Sequence, residues 1–261
     1  ANGTKNGLIA NWNNKPSADW PNMDTPAWGS PFRNESLLAS LPSGKIGLSD
    51  LEQAAWHIAR RETATGAVFV PDFQNLMTSS LSSGNDAVLR LLRAYDGWSL
   101  EGSVGAKVYG ATVRELRKEL FKPAVGTFIQ PTVFETIIQP SVIRKALRGE
   151  TAFDFLAGRT STAVLEKAMV SAKRSLTTEL GEDASKWTFS PGTISVRGQS
   201  PIPYNNRGTY IQIFELGAFP VGRSVASPGV AESGPHSSDQ ADLARSWTYK
   251  PMRLLGPSGA N

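Results

Sequence analysis

The chain has no cysteine, only two histidines and no long apolar run, and each shortage removes a class of function. Without cysteine there is no structural disulfide, no thiol nucleophile and no thiolate-bound metal. Two histidines, His57 and His236, cannot build a histidine-rich metal centre. No stretch approaches the roughly 18 consecutive apolar residues that a membrane-spanning helix needs, so no membrane partner is expected. Basic blocks are missing too. The 27 Lys and Arg against 23 Asp and Glu leave a net charge of +4, spread thinly. The densest places, "RELRKEL" from Arg114 and "IRKALR" from Ile143, interleave charge with apolar residues as amphipathic helices do. A nucleic-acid partner is therefore not expected. Gly102, Gly105 and Gly110 do not follow dinucleotide-binding spacing and there is no phosphate-loop signature, so no organic cofactor is expected. The first residues, "ANGTKN", lack the basic start and apolar centre of a signal peptide, which implies that targeting information is absent or was removed upstream. Two glycosylation-like triplets, at Asn2 and Asn34, match a pattern frequent by chance and carry no role.

What is present suffices for a substantial core: 261 residues, 40% of them hydrophobic. Gly7 to Trp12 reads as a short buried strand, because Leu8, Ile9 and Ala10 form a continuous apolar run between Gly7 and an amide cluster. Prolines 16, 21, 26 and 31 then break regular structure, so Asn13 to Arg33 reads as an ordered, irregular loop. A loop of that length suggests function in itself. Helical patterning follows. "SDLEQAAWHIARRETA" from Ser49 carries Glu52 three residues on, a capping-box signature. Further helices are expected from Asn85, from Val104, around Pro140 and from Ser161, with Gly149 and Gly181 placed as helix stops. After Trp187 the pattern turns to β: "GTISVRG" and "GTYIQIFELGAFPVGRSVASPG" predict strands, including a hairpin turning near Gly217 to Pro220, and "ADLARSW" predicts a last short helix. Strand, helices, strands is an α+β order, with segments 1–33, 34–190 and 191–261 as parts of one fold.

Candidate chemistry is sparse. His57 sits mid-helix and reads as packing. His236 lies beside Ser237, Ser238 and Asp239, but neighbours in sequence rarely present triad geometry, so turn chemistry is the expectation. The amides Asn11, Asn13 and Asn14 are more interesting. A carboxamide is a neutral, directional donor able to stabilise a developing oxyanion, and it is equally a residue that caps and turns a chain.

The stretch "GLIANWNNKPSADWP" resembles the larger chain of penicillin acylases, which are N-terminal-nucleophile amidohydrolases; "ANWNN" followed by proline is the specific part. Weaker likenesses follow in the same order at "WGSPFR", "YDGW", "LGEDASKW", "YNNRGTY", and "SVASPG" with "HSSDQ". The resemblance implies part of an αββα sandwich. It also implies a linear amide substrate, the acyl side chain of a penicillin-like or other N-acyl compound, hydrolysed through an acyl-enzyme on a serine freed by autocatalytic processing of a zymogen. By that likeness Asn13 donates to the oxyanion, Arg33 positions the active site, and Asp24 is a candidate calcium ligand, with a turn residue as its alternative. Asn11 and Asn14 shape the loop. Trp20, Trp28 and Phe32 either line an acyl pocket or pack. Residue 1 is Ala1 rather than a nucleophile. The match therefore implies the C-terminal part of the larger chain, inactive alone. Its partners would be a smaller chain and the nucleophile-bearing N-terminal part of the larger one. A periplasmic or secreted location follows from the likeness only. The rival reading is a non-catalytic binding or structural module that keeps the amidase shape.

Overall fold

The computed structural model describes residues 9–17, 19–21, 23, 28–76, 86–126, 128, 130, 134, 137–217 and 219–252. In chain order these form helices α1 (Pro31–Ala39), α2 (Leu48–Arg60), α3 (Val70–Gln74), α4 (Asp86–Ala94), α5 (Val104–Val125), α6 (Pro140–Leu147), α7 (Ser161–Leu180) and α8 (Ala241–Ser246). The strands are β1 (Thr193–Ile194), β2 (Ile202–Pro203), β3 (Tyr210–Glu215), β4 (Val221–Ala226) and β5 (Lys250–Met252). The fold thus mixes helices with short strands. It divides into two compact units, one from residues 1–35 and 62–190, the other from 36–61 and 191–261.

The first unit is helical and is organised around α5. Its start is fixed by Ser103, whose hydroxyl accepts from the Ala106 N–H at 3.2 Å. Val108, Tyr109, Leu116 and Leu120 recur at helical spacing and are buried, and α5 packs along α7, which buries Val164, Ala168, Met169, Ala172 and Leu176. α7 opens on Thr160, which accepts from the Ala163 N–H, and stops at Gly181, whose φ of +88° only glycine adopts freely. The freed Gly181 carbonyl accepts from the Trp187 indole N–H at 2.9 Å, which anchors that buried ring at the helix end. α6 begins at Pro140, where the missing N–H costs nothing.

In the second unit β3 and β4 form the expected antiparallel hairpin, with Tyr210 opposite Ala226 and Glu215 opposite Val221. β5, which the pattern did not announce, adds to β4 with Gly222 opposite Met252. Its Pro251 is tolerated because β5 is an edge strand. Ile202, Val225, Ala241 and Ala244 form a small core. The hairpin end is apolar and exposed at Leu216 and Phe219.

Three expectations need correction. Residues 9–12 are not a strand: they have no ladder partner among the described residues and Ile9 is 76% exposed, so nothing here supplies the pairing a strand requires (Gly7 and Leu8 lie outside the described residues). α2 begins one residue before Ser49, and the residue ahead of it, Gly47, donates its N–H to the Asp50 carboxylate at 2.9 Å. Glu52 points elsewhere and meets Arg223 at 2.7 Å. Finally, Arg33 is not in a loop. Pro31, with its fixed φ, starts α1, and Arg33 lies in that helix's first turn.

Candidate active site

The amide cluster builds a tight local structure in the first unit. The Trp12 N–H donates to Asn14 Oδ1 at 3.0 Å, and the Asn13 N–H donates to Asn11 Oδ1 at 3.0 Å. Both flanking side chains are thus folded back onto backbone two residues away, as asparagines do in turns. Asn14 Nδ2 also reaches the Lys15 carbonyl at 3.3 Å. Asn13 differs in its backbone conformation and in its side-chain bonding. Its φ is +57°, a left-handed conformation that asparagine tolerates better than most residues. Its residue is exposed, and its carboxamide has no hydrogen-bond partner among the described residues. Of the three amides, Asn13 alone has a side chain without a backbone hydrogen bond among the described residues.

A second segment closes on this turn. The Gly29 N–H donates to the Asn13 carbonyl at 2.7 Å. Four residues later the Arg33 guanidinium lies over the Trp12 ring, 4.7 Å from its centroid, a cation–π contact. Arg33 is therefore brought onto the ring of Trp12, the residue next to Asn13 in the chain. Gly29 was not singled out by sequence reasoning. The signal available was its place in "WGSP", a glycine just ahead of a proline helix start.

The other candidates fall out differently. Phe32 is buried, with Gly66 close against its Cβ, and so serves packing; Trp20 is exposed. His57 is in α2, edge-on to Trp56. His236 Nδ1 lies 2.9 Å from Asp239, but Ser237 Oγ donates to the Gly234 carbonyl and Ser238 Oγ accepts from Gln199, so the expected turn chemistry holds there and no triad forms. Asp24 lies outside the described residues. Among the described residues no group of three or more His, Asp or Glu could hold a metal ion.

Comparison with known proteins adds a family to this geometry. The chain is similar in fold to a thermostable penicillin G acylase from Alcaligenes faecalis, with a TM-score of 0.72 at 20% sequence identity. The match covers 95% of this chain and 54% of that one, so the chain spans about half the length of the relative. The description of the penicillin amidase family matches residues 3–255. The chain therefore belongs to the penicillin amidase family.

Proposed function

We propose that this chain supplies the oxyanion-binding part of an amidase that acts on a linear N-acyl amide, with the nucleophile on another segment of the enzyme. The observation that carries the reading is the exposed carboxamide of Asn13, unbonded among the described residues, between two asparagines whose side chains are spent on the backbone. A preset neutral donor stabilises charge that develops on a carbonyl oxygen without having to lose a proton.

In this reading an N-terminal serine outside these residues attacks the amide carbonyl, and its own α-amino group, with an ordinary pKa of about 8, takes the hydroxyl proton. As the carbonyl carbon becomes tetrahedral, the Asn13 carboxamide N–H donates to the oxyanion. On collapse the α-ammonium group returns its proton to the leaving nitrogen, which departs as the amine and leaves an acyl-enzyme that water then hydrolyses to the acid. Arg33 is a positioning residue: its contact with Trp12 places a fixed cation beside the turn, suited to orienting Asn13 and the catalytic amino terminus. The complete molecule would have the αββα architecture, formed with a smaller chain and the N-terminal part of the larger one. Asp24 would give one carboxylate to a structural calcium, a hard oxygen-seeking ion, whose remaining ligands come from elsewhere. A periplasmic or secreted location fits such an enzyme.

The test is denaturing intact-mass analysis of the native preparation, with N-terminal sequencing of every chain present, before and after addition of a chromogenic N-acyl amide. A companion segment that begins with serine, threonine or cysteine and gains the acyl mass is the expected result. A complete enzyme in which no companion segment begins with serine, threonine or cysteine and none gains the acyl mass would refute the amidase reading and leave a non-catalytic module.

A further inference from the structure

Gly29 stands between the two proposed active-site residues, and its environment leaves no room for a side chain. A Cβ on Gly29 would lie 2.8 Å from the Asn13 carbonyl oxygen and 3.3 Å from the Trp12 carbonyl oxygen. The first distance is closer than real Cβ contacts come, and the obstructing atoms are backbone, which cannot swing away as a flexible side chain would. The same approach permits the 2.7 Å bond from the Gly29 N–H to that carbonyl. On the other side of Asn13, its N–H is held by Asn11 Oδ1 at 3.0 Å. Both peptide groups flanking the Asn13 Cα are thus tied, and with them the φ and ψ that decide where its side chain points.

We infer that Gly29 and Asn11 are positioning residues for the oxyanion donor: they clamp the two peptide planes of Asn13 and so aim its carboxamide. The inference rests on the amidase reading above. It also explains why this position carries glycine although its φ does not fall in the left-handed region. Close approach of backbone to backbone requires glycine here, not conformational freedom. A methyl group would either lengthen the Gly29–Asn13 bond or rotate the Asn13 peptide plane, and either moves the carboxamide. Misplacing a catalytic group by on the order of 1 Å costs about 10²-fold in rate. An oxyanion contact is made in the transition state, so the loss should fall on kcat.

The experiment uses the complete, processed enzyme containing this chain and a chromogenic N-acyl amide. For Gly29→Ala the expected result is a kcat lower by about 10- to 100-fold with KM within about twofold, on a protein whose melting temperature is little changed. In an Asn13→Gly background the same substitution should cost almost nothing further, because the group that it aims is already gone. If Gly29→Ala prevents maturation, Asn11 carries the test. Asn11→Ala should lower kcat, and Asn11→Ser should restore part of it, because the serine hydroxyl can accept the Asn13 N–H in the same local turn. Wild-type kcat in Gly29→Ala, or in Asn11→Ala where that variant carries the test, overturns the clamp while leaving Asn13 as donor. Fully additive losses in the double variant also overturn it. A fully active Asn13→Gly enzyme overturns the reading on which the clamp rests.

Discussion

Removing the Asn13 carboxamide should slow turnover of the complete enzyme by about 10²–10³, the loss seen when one oxyanion donor is deleted. That range is about 2.7–4 kcal/mol of transition-state stabilisation. The obvious variant, Asn13→Ala, confounds two effects. Asn13 sits at φ +57°, where alanine is strained by roughly 1–2 kcal/mol. Part of any loss would then reflect a distorted turn. Asn13→Gly removes the same amide but adopts the left-handed conformation freely, so it isolates the chemical contribution. Asn13→Asp keeps the shape and the turn yet replaces a donor with a negative acceptor facing a developing negative charge. It should be at least as slow as the glycine variant at neutral pH. The assay is steady-state hydrolysis of a chromogenic N-acyl amide, with thermal melts in parallel. The order expected for kcat is wild type, then glycine, then alanine and aspartate, with melting temperature lowered mainly in alanine. Glycine at wild-type rate, or an aspartate variant faster than glycine, would refute the oxyanion assignment.

Other perturbations test the scaffold. Leu116→Ala in the fully buried face of α5 should cost about 2–5 kcal/mol, read from denaturant unfolding. Ser103→Ala removes the cap that accepts the Ala106 N–H and should cost about 1 kcal/mol, with amide exchange faster in the first turn of α5. Asp72 is half-buried and its Oδ2 lacks a partner among the described residues; burial raises its pKa more than Arg148 and Arg144 lower it. A carboxyl whose folded pKa is raised favours the native state below its unfolded pKa and loses that contribution as pH rises through the folded value. Asp72→Asn should therefore raise the melting temperature at pH 7, with the gain vanishing on acidification below the ordinary carboxylate range. A gain that persists there would exclude ionisation as its cause.

The helices were legible where two signals agreed, a helical period and a marked end. α5 and α7 have apolar residues at helical spacing, and Gly149 and Gly181 stand at positive φ as helix stops should. Reading failed where one signal was over-weighted. Ser49 and Glu52 fit the hydroxyl-and-acid pattern of a capping box, yet a backbone N–H from Gly47 with Asp50 does the same work two residues earlier. Prolines 16, 21, 26 and 31 share one breaker signal in the sequence, although the last of them starts a helix. The apolar run at Leu8 to Ala10 asked for a strand, but periodicity says nothing about whether a pairing edge is available. The turn roles of Asn11 and Asn14 were readable because an asparagine's reach to a neighbouring backbone group is a property of the residue itself. Gly29 was not, because its meaning lies in a contact with a residue sixteen positions earlier.

The division of the chain has a consequence for how it is made. α2 belongs with residues that begin at Pro191, yet about 130 residues of the other unit are synthesised between Arg61 and Pro191. At ribosomal speeds of about 5–20 residues per second, that interval is on the order of ten seconds. During it Ile58, buried in the finished molecule, and the other apolar residues of α2 exist before β3 and the 205–207 turn on which the helix packs. Nascent α2 is thus a hydrophobic segment waiting for its partners, the stretch on which a holding chaperone would have longest to act.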